Sequence, residues 1–472
     1  MVSNHEAEEA VTPHGPSATP RHLRPVLVVS YYFPPSGGPG VQRVLKFVRY
    51  LPAFGYRPVV LTVPETAAFP LLDPSLAAEI PPEAKVVRSP IREFYGLHRA
   101  AAGAASSGGT ENLVTTARAA RGLRGRILYG LRAALFIPDG RVGWLQGGTR
   151  AGLRAIRSEG AEVIFASGPP FTAHWIARRL ADRTGLPLVL DFRDPWTRAP
   201  FYPRRPGPSR VLDEQLELSC LRRADAVLTV NRDIRDDLLA RHPGLEAARF
   251  HLVPNGYDPA DFKGRSWDPQ PEWTLTHTGT LPGDRFPTGF TRALRRLVAE
   301  DPEAAGRLRI RMIGRRNPEM ERNLSEPPLN RLVRFEGYLP HAESVGAIIE
   351  SRLLLLFIEE GPRAAGILTG KLFEYLGSGA PVLALAPEGE AAELVRRTGA
   401  GRVVHGDDED AALAALREAV AAFRAGRRAF GEPRRALVEE YARPVLTARL
   451  AAIFDALPRH RLCAVAPGGP KP

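Results

Sequence analysis

Largely apolar runs of three to six residues recur along this chain, and the stretches between them carry apolar residues at every third or fourth position. The runs at 25–30, 58–63, 85–88, 162–167, 187–192, 226–230 and 250–253 have the length of buried strands. The segments between them, such as Phe171–Arg183 (FTAHWIARRLADR) and Leu212–Arg222, have helical spacing. Strands that alternate with helices of this length predict βαβ units and a parallel sheet covered on both faces. The pattern restarts near Trp273, with strands expected at 273–278, 308–313, 332–335, 353–358, 381–385 and 402–404. Helical segments lie between them, among them Ser344–Glu350 and Lys371–Gly377. The longest apolar run, LLLLFI at 353–358, has the length of a strand, and no run approaches the ~18 residues that span a bilayer.

The fold class is therefore α/β, with two doubly wound parallel-sheet domains in tandem. A chain of 472 residues exceeds what a single hydrophobic core organises. The expected organisation is a disordered tail (1–22), an N-terminal Rossmann-like domain (23–258) and a linker (259–272). A C-terminal Rossmann-like domain (273–430), a helix packing back toward the first domain (431–460) and a disordered tail (461–472) complete it. The linker lies within a Gly-, Pro- and Asp-rich stretch, NGYDPADFKGRSWDPQPEW, whose composition is that of a hinge.

Two segments break the rhythm. Residues 99–117 are small and polar, as in a mobile loop. Residues 117–145 follow with six arginines (118, 121, 124, 126, 132 and 141) against one aspartate, and Leu123, Ile127, Leu128, Leu131, Leu135 and Phe136 fall near one helical face. Such a helix over 118–136 can lie on an anionic membrane surface or pack its leucines on the sheet with arginine outside. Lys+Arg 64 against Asp+Glu 52 gives +12, which fits nucleic acid, an anionic surface or anionic substrates. Nucleic acid has only the net charge in its favour, without aromatic–basic interleaving or a known module. Two distant cysteines, Cys220 and Cys463, exclude a disulfide framework or a Cys-based zinc site and suit a reducing cytoplasm. The polar first 22 residues lack the basic start and apolar core of a signal peptide. The expected location is cytoplasmic, peripheral on the inner membrane face if 118–136 docks there.

In open α/β sheets ligands bind beyond the carboxyl ends of the strands. The richest strand-end loop is EEGPRAAGILTGKLFEYLGSGAP, 359–381. Gly366 and Gly370 flank Ile367, Leu368 and Thr369, and Lys371 opens a helix. Free amides, the helix dipole and one ammonium make a pyrophosphate site. Glu374, on the same face, can accept two hydroxyl hydrogen bonds from a ribose. The loop is not a Walker A motif, because Leu372 stands where Ser or Thr would hold magnesium.

This stretch resembles the donor-site helix of GT-B glycosyltransferases, in particular their large retaining family numbered four. PVLVVSYYFPPSGGPGVQRVLKFVRYL resembles that family's opening strand, glycine loop and helix. LRRADAVLTVNRDIRDDL, FHLVPNGYDPADF, HTGTL and VRFEGYLPHAE are similar to later family segments, in order, over about residues 24–410. The resemblance implies a transferase that moves a sugar from a nucleotide-sugar donor to a hydroxyl, with retention. The acceptor it implies is a glycan or lipid-linked saccharide of cell-surface polysaccharide or glycoconjugate biosynthesis. Lys371 would bind the donor pyrophosphate, and Glu374, matching the second Glu of the E-x7-E motif, the ribose. Gly366 stands where the first Glu, tied to the donor sugar in that family, would be. Gly279 and Thr280 would line the first loop of the C-terminal domain. Arg285, with Arg315 in reserve, would be the second phosphate-binding cation, and Gly337, Tyr338 and Leu339 would hold the base. Gly37 and Gly38 would let backbone approach the sugar–phosphate end. Arg193 and Asp194 replace the family's His–Asp pair as catalytic candidates beside Lys371, or form a structural ion cluster. Tyr32, Phe33, Asp191 and His174 are the acceptor-side candidates, with a packed core as the other reading of His174. The resemblance implies no cofactor and no metal, since the nucleotide-sugar is a substrate.

Three other readings share these residues. An NAD-dependent oxidoreductase would explain the opening strand and glycines, but Arg43 occupies the fingerprint position where a small residue must pack. A non-catalytic nucleotide-sugar binder would explain the missing motif Glu. A nucleotide-sugar epimerase would use the same scaffold.

Overall fold

The computed structural model describes residues 22–92, 133–134, 136–199, 202, 205–279, 281, 286–361 and 364–458. The 99–117 loop, the arginine-rich segment up to residue 132, and the terminal stretches 1–21 and 459–472 lie outside the described residues, as do Thr280 and Arg285.

Strands β1 (Arg24–Val29), β2 (Tyr56–Thr62), β3 (Lys85–Arg88), β4 (Val163–Gly168), β5 (Leu188–Phe192), β6 (Ala226–Thr229) and β7 (Phe250–Leu252) form a 7-stranded sheet in the order β3-β2-β1-β4-β5-β6-β7. Strands β8 (Trp273–Thr278), β9 (Leu308–Ile313), β10 (Val333–Gly337), β11 (Leu353–Phe357), β12 (Val382–Leu385) and β13 (Gly401–Val404) form a 6-stranded sheet in the order β10-β9-β8-β11-β12-β13. All pairings in both are parallel. The expected α/β architecture is the observed one.

The first sheet carries helices α1 (Pro39–Tyr50), α2 (Leu145–Glu159), α3 (Thr172–Thr184), α4 (Gly207–Arg223) and α5 (Arg232–Arg241). The second carries α6 (Thr288–Glu300), α7 (His341–Ile349), α8 (Gly370–Ser378), α9 (Glu390–Thr398) and α10 (Glu409–Arg424), and α11 (Arg443–Ala456) follows.

Period two within each strand explains the layering. In β1, Leu27 and Val29 enter one apolar cluster while Val26 and Val28 enter another on the opposite face. In β11, Leu353, Leu355 and Phe357 face one cluster and Leu354 and Leu356 the other. Each sheet is thus covered on both sides, which is why strands such as β1 and β11 read as continuous apolar runs. Helix α11 returns to the first sheet. Its Leu446, Leu450, Ala451 and Phe454 join the cluster of Val26 and Val28, with Phe454 edge-on to Tyr56 at a centroid distance of 5.2 Å. Burying its leucines and phenylalanine contributes roughly 1.5–3 kcal/mol each, which ties α11 to the first sheet.

Strand order reverses between β1 and β4 in one sheet and between β8 and β11 in the other. Loops leaving neighbouring strands diverge at such points and open a crevice. The glycine loop after β1 and the loop joining β11 to α8 both start there.

Candidate functional site

On the C-terminal side the crevice is built from glycines. Gly279, Gly314 and Gly337, at the carboxyl ends of β8, β9 and β10, have φ of 91°, 125° and 70°. That left-handed region strains any side chain other than glycine's. Gly279 N–H donates to the Ile313 carbonyl at 2.8 Å, and a Cβ at Gly314 would sit 2.6 Å from the Gly279 carbonyl oxygen. Three strand ends therefore pack backbone against backbone.

Helix α8 starts opposite these turns. Thr369 is its N-cap but makes no side-chain capping bond, so the first amides of the helix lack a side-chain cap. Lys371 extends from this first turn across Gly279, whose Cβ position lies 3.2 Å from Lys371 Cε and 3.3 Å from Nζ. Its partner is His277 of β8, with Nε2 3.4 Å from Lys371 Nζ. His277 is buried, and its Nδ1 lies 2.9 Å from the Leu355 carbonyl oxygen. A carbonyl can only accept, so Nδ1 carries the proton and Nε2 presents a lone pair to the ammonium. Burial, then the nearby Lys371 charge, holds the His277 pKa well below its ordinary value and keeps the ring neutral. Burial also lowers the Lys371 pKa to about 8, opposed by Glu374. The result is a half-desolvated cation at a helix start whose amides point the same way, an arrangement that favours a phosphate oxygen.

Ile367, Leu368 and Thr369 are half-buried, the first two packed on the apolar cluster under α8. Glu374, one turn into α8, is half-buried, and burial raises its pKa against the opposing charge of His341. Its Oε1 lies 4.0 Å from His341 Nδ1. At the far wall, Tyr338 is exposed, Leu339 half-buried and Arg315 exposed beyond β9.

The N-terminal wall departs from several expectations. Asp191 is fully buried. Its carboxylate takes a bidentate ion pair from Arg43 (2.8 Å to Nη2) and a bond from Ser167 Oγ at 2.7 Å. It cannot reach an acceptor. Arg43 in turn donates to the Val253 and Pro254 carbonyls at 2.8 and 2.7 Å. The position that a dinucleotide fingerprint reserves for a small residue is thus filled by a structural guanidinium, which removes the geometric basis of the oxidoreductase reading. His174 is also fully buried. Its Nε2 donates to the Asp191 carbonyl oxygen at 3.1 Å, and Phe171, Phe192 and Trp196 surround the ring. Burial lowers its pKa to about 4. It is a core histidine rather than an acceptor contact. Phe33 is buried in the cluster under α1 and likewise has no access to the crevice, while Tyr32 stays half-buried at its edge.

Gly37 packs against the 71–73 segment. Its N–H donates to the Leu71 carbonyl at 2.9 Å, and a Cβ there would lie 2.9 Å from Asp73 Cβ. Gly38, with φ 86°, is the N-cap of α1. Arg193 ties the strand-end loops together, donating to the Gly168 carbonyl at 3.2 Å and to the carbonyls of Gly40 and Pro169. Asp194 beside it is half-buried, its pKa raised by burial and lowered by Arg193.

The two domains touch at Gly366, the position that lacks the motif Glu. A Cβ there would stand 2.4 Å from Asp233 Cβ, so no side chain fits. Asn231, whose side chain caps α5, also donates to the Gly366 carbonyl. Glu390 of α9 accepts from the Arg232 N–H at 2.9 Å and the Asp233 N–H at 3.1 Å, so a carboxylate of one domain caps a helix of the other. Beside the segment that follows β7, the carboxylates of Glu79, Asp258 and Asp261 converge with a spacing that suits a metal ion, but Lys46 Nζ sits among them at 2.7, 2.8 and 2.7 Å. That ammonium already supplies the counter-charge.

Residues 96–261 match the family model described as Glycosyltransferase Family 4. Similar solved structures include a glycosyltransferase from Rickettsia africae, with 11% identity, a TM-score of 0.58, and 92% of this chain and 98% of that one covered. The sucrose-phosphate synthase of Thermosynechococcus elongatus shows 14% identity and a TM-score of 0.58 over the same shares. The Anabaena protein HepE in complex with UDP-glucose shows 13% identity, a TM-score of 0.57, and coverage of 92% of this chain and 100% of that one. No curated protein matches the sequence. The fold is GT-B, and the resemblance to its glycosyltransferases holds. No helix among the described residues is long and apolar enough to cross a membrane.

Proposed function

From a GT-B chain similar to family 4 glycosyltransferases, we propose an enzyme that moves a sugar from a nucleoside-diphosphate sugar to an acceptor hydroxyl. One observation carries this reading: Lys371 lies across Gly279, aligned by the neutral His277, at a helix start without a side-chain cap. The bound UDP-glucose of the similar Anabaena protein supports a donor of this class. As the glycosidic bond breaks, negative charge grows on the departing phosphate and is stabilised by Lys371, the α8 amides and the helix dipole. Glu374 holds the ribose, and the backbone of Gly337–Leu339 faces the base.

The acceptor enters from the N-terminal wall, at Tyr32, Arg193 and Asp194. Arg193 is a poor proton acceptor, and His174 is sealed in the core. Transfer with retention, in which the departing phosphate takes the acceptor proton, asks for no stronger protein base. No metal is part of this scheme. A glycan or lipid-linked acceptor on an anionic cytoplasmic membrane surface fits the arginine-rich 118–136 segment. The test is Lys371→Ala assayed for donor turnover: a fall of 10²-fold or more is expected for loss of such an electrostatic contact, and undiminished turnover overturns the assignment. A second reading, a silent nucleotide-sugar binder, is favoured by Gly366 alone. It requires that the wild-type protein bind a donor yet neither transfer nor hydrolyse it.

A further inference from the structure

A small cavity of about 20 Å³ lies where the hinge, α1, α7, α8 and α11 meet, and Lys46, Asp258, Asp261, His341, Glu374 and Arg443 line it. It is about the size of one water molecule. Most of its charges are already matched. Lys46 pairs with Asp258 and Asp261 at 2.8 and 2.7 Å, Tyr50 Oη donates to Asp258 at 2.6 Å, and His341 Nε2 lies 3.0 Å from Asp261 Oδ2.

Two groups are not matched. Arg443, at the start of α11, is only 5% exposed, and its Nη1 is buried without a hydrogen-bond partner. Its position is fixed by its backbone N–H, which donates to the Tyr257 carbonyl at 2.8 Å. Glu374 lies on the same cavity with its nearest cation, His341, at 4.0 Å. A buried guanidinium with an unsatisfied nitrogen is costly unless nearby anions offset it, and the carboxylates that oppose its burial are Asp258, Glu374 and Asp261, in that order.

We propose that His341 and Arg443 are positioning residues for Glu374: two cations, from the helix after the base-facing loop and from the returning C-terminal helix, that hold its carboxylate ionised and aimed at the donor's ribose hydroxyls. This rests on the nucleotide-sugar reading above. The arrangement gives the return helix a role in donor recognition as well as in joining the domains. It also explains how a half-buried carboxylate, whose pKa burial raises, stays charged enough to accept hydroxyl protons. Burial lowers the His341 pKa, but Asp261 and Glu374 outweigh it and Lys46 and raise it above the ordinary histidine value.

The experiment compares uridine, guanosine and adenosine diphosphates with their 2′,3′-dideoxy counterparts by calorimetry, taking whichever base the wild-type protein binds. A charged carboxylate on the ribose predicts about tenfold or greater preference for the ribose form. His341→Asn and Arg443→Met should each cut that preference to about threefold or less while leaving affinity for the dideoxy ligand in place. Arg443→Lys, which keeps the charge, should retain most of it. The preference should also fall as pH rises through the raised pKa of His341, and be flat in His341→Asn. Titration of Lys371 acts on the phosphates and cancels in the ratio. Equal losses for both ligands, or no loss, assign the two residues a structural role and overturn the proposal. A wild-type protein that binds the nucleotide without ribose preference removes Glu374 from the ribose and the proposal with it, leaving the donor site intact. No binding of any of the three, with Lys371→Ala indistinguishable from wild type, overturns the proposed function itself.

Discussion

Gly366→Ala isolates the contact between the domains. The backbone of Gly366 is not left-handed, so alanine costs nothing through its own φ, and the effect comes from the neighbour. The added methyl would lie 2.4 Å from Asp233 Cβ, 2.7 Å from its Cγ and 3.0 Å from Oδ2. Ordinary carbon contacts are roughly 3.5–4.0 Å, so the α5 start and the 364–366 turn must separate by about 1 Å or more. That movement weakens the Asn231 bond to the Gly366 carbonyl and the cap that Glu390 places on the Arg232 and Asp233 amides. Overpacking costs typically 1–3 kcal/mol, and a strained charge-assisted cap adds about 1 kcal/mol. The arrangement in which the domains touch here is thereby destabilised by about 2–4 kcal/mol, roughly 30- to 700-fold in its equilibrium constant. Small-angle scattering should show a larger radius of gyration, and donor turnover should fall by up to about three orders of magnitude. Donor affinity for the C-terminal wall should change little. Gly366→Glu, which introduces the first glutamate of the E-x7-E pattern, should be more severe. The clash is with a Cβ, so Asp233→Gly is the compensating change and should recover much of the loss, whereas Asp233→Ala should not. A Gly366→Ala protein with wild-type scattering and turnover refutes the reasoning, as does a double variant without rescue.

Two further outcomes follow from buried bases. His174 is held neutral in the fold, with a pKa near 4 against about 6.5 unfolded, so the unfolded chain binds its proton first as pH falls. Stability contributed by this site is present above pH 6.5 and lost between there and about 4, by an amount on the order of 3 kcal/mol. His174→Gln should flatten that part of the pH dependence in urea denaturation, and an unchanged slope would count against the buried neutral ring. Lys371, with its pKa near 8 in the free protein, should make kcat/KM for the donor decline as pH rises through 8, since that ratio reports the free enzyme. A profile flat to pH 9.5 would mean that the ammonium is better solvated than its geometry implies.

The sheets were legible because their signal is local. A strand buried on both faces tends to be apolar at consecutive positions, and VLVV and LLLLF carry that signal, while the equally buried WTLTHT shows it only in its first and third residues. The donor wall was legible for a similar reason: glycines, a lysine and a glutamate within nine positions belong to one loop and one helix turn. The N-terminal wall was not, because access depends on what packs across from a residue. Asp191 and Arg193 stand two apart in LDFRD and look alike in sequence, yet one is sealed against α1 and the other braces three carbonyls at the crevice edge.

A signal for that distinction did exist. Period two places Asp191 on the same face as Val189, which joins the cluster that α1 covers. Arg43 falls between Val41 and Val44, both buried on α1. Opposite charges at two core-facing registers of neighbouring elements predict a buried pair, and neither residue is then free for a ligand. His277 obeys the same rule, since it shares a face of β8 with Trp273 and Leu275. Both residues are second from the carboxyl end of their strand, so depth along the strand does not separate them. What packs opposite does: Asp191 meets the Arg43 guanidinium of α1 at 2.8 Å, whereas His277 meets Lys371 at the start of α8, 3.4 Å away. The same inward register therefore makes one residue structural and lets the other align a cation at the crevice.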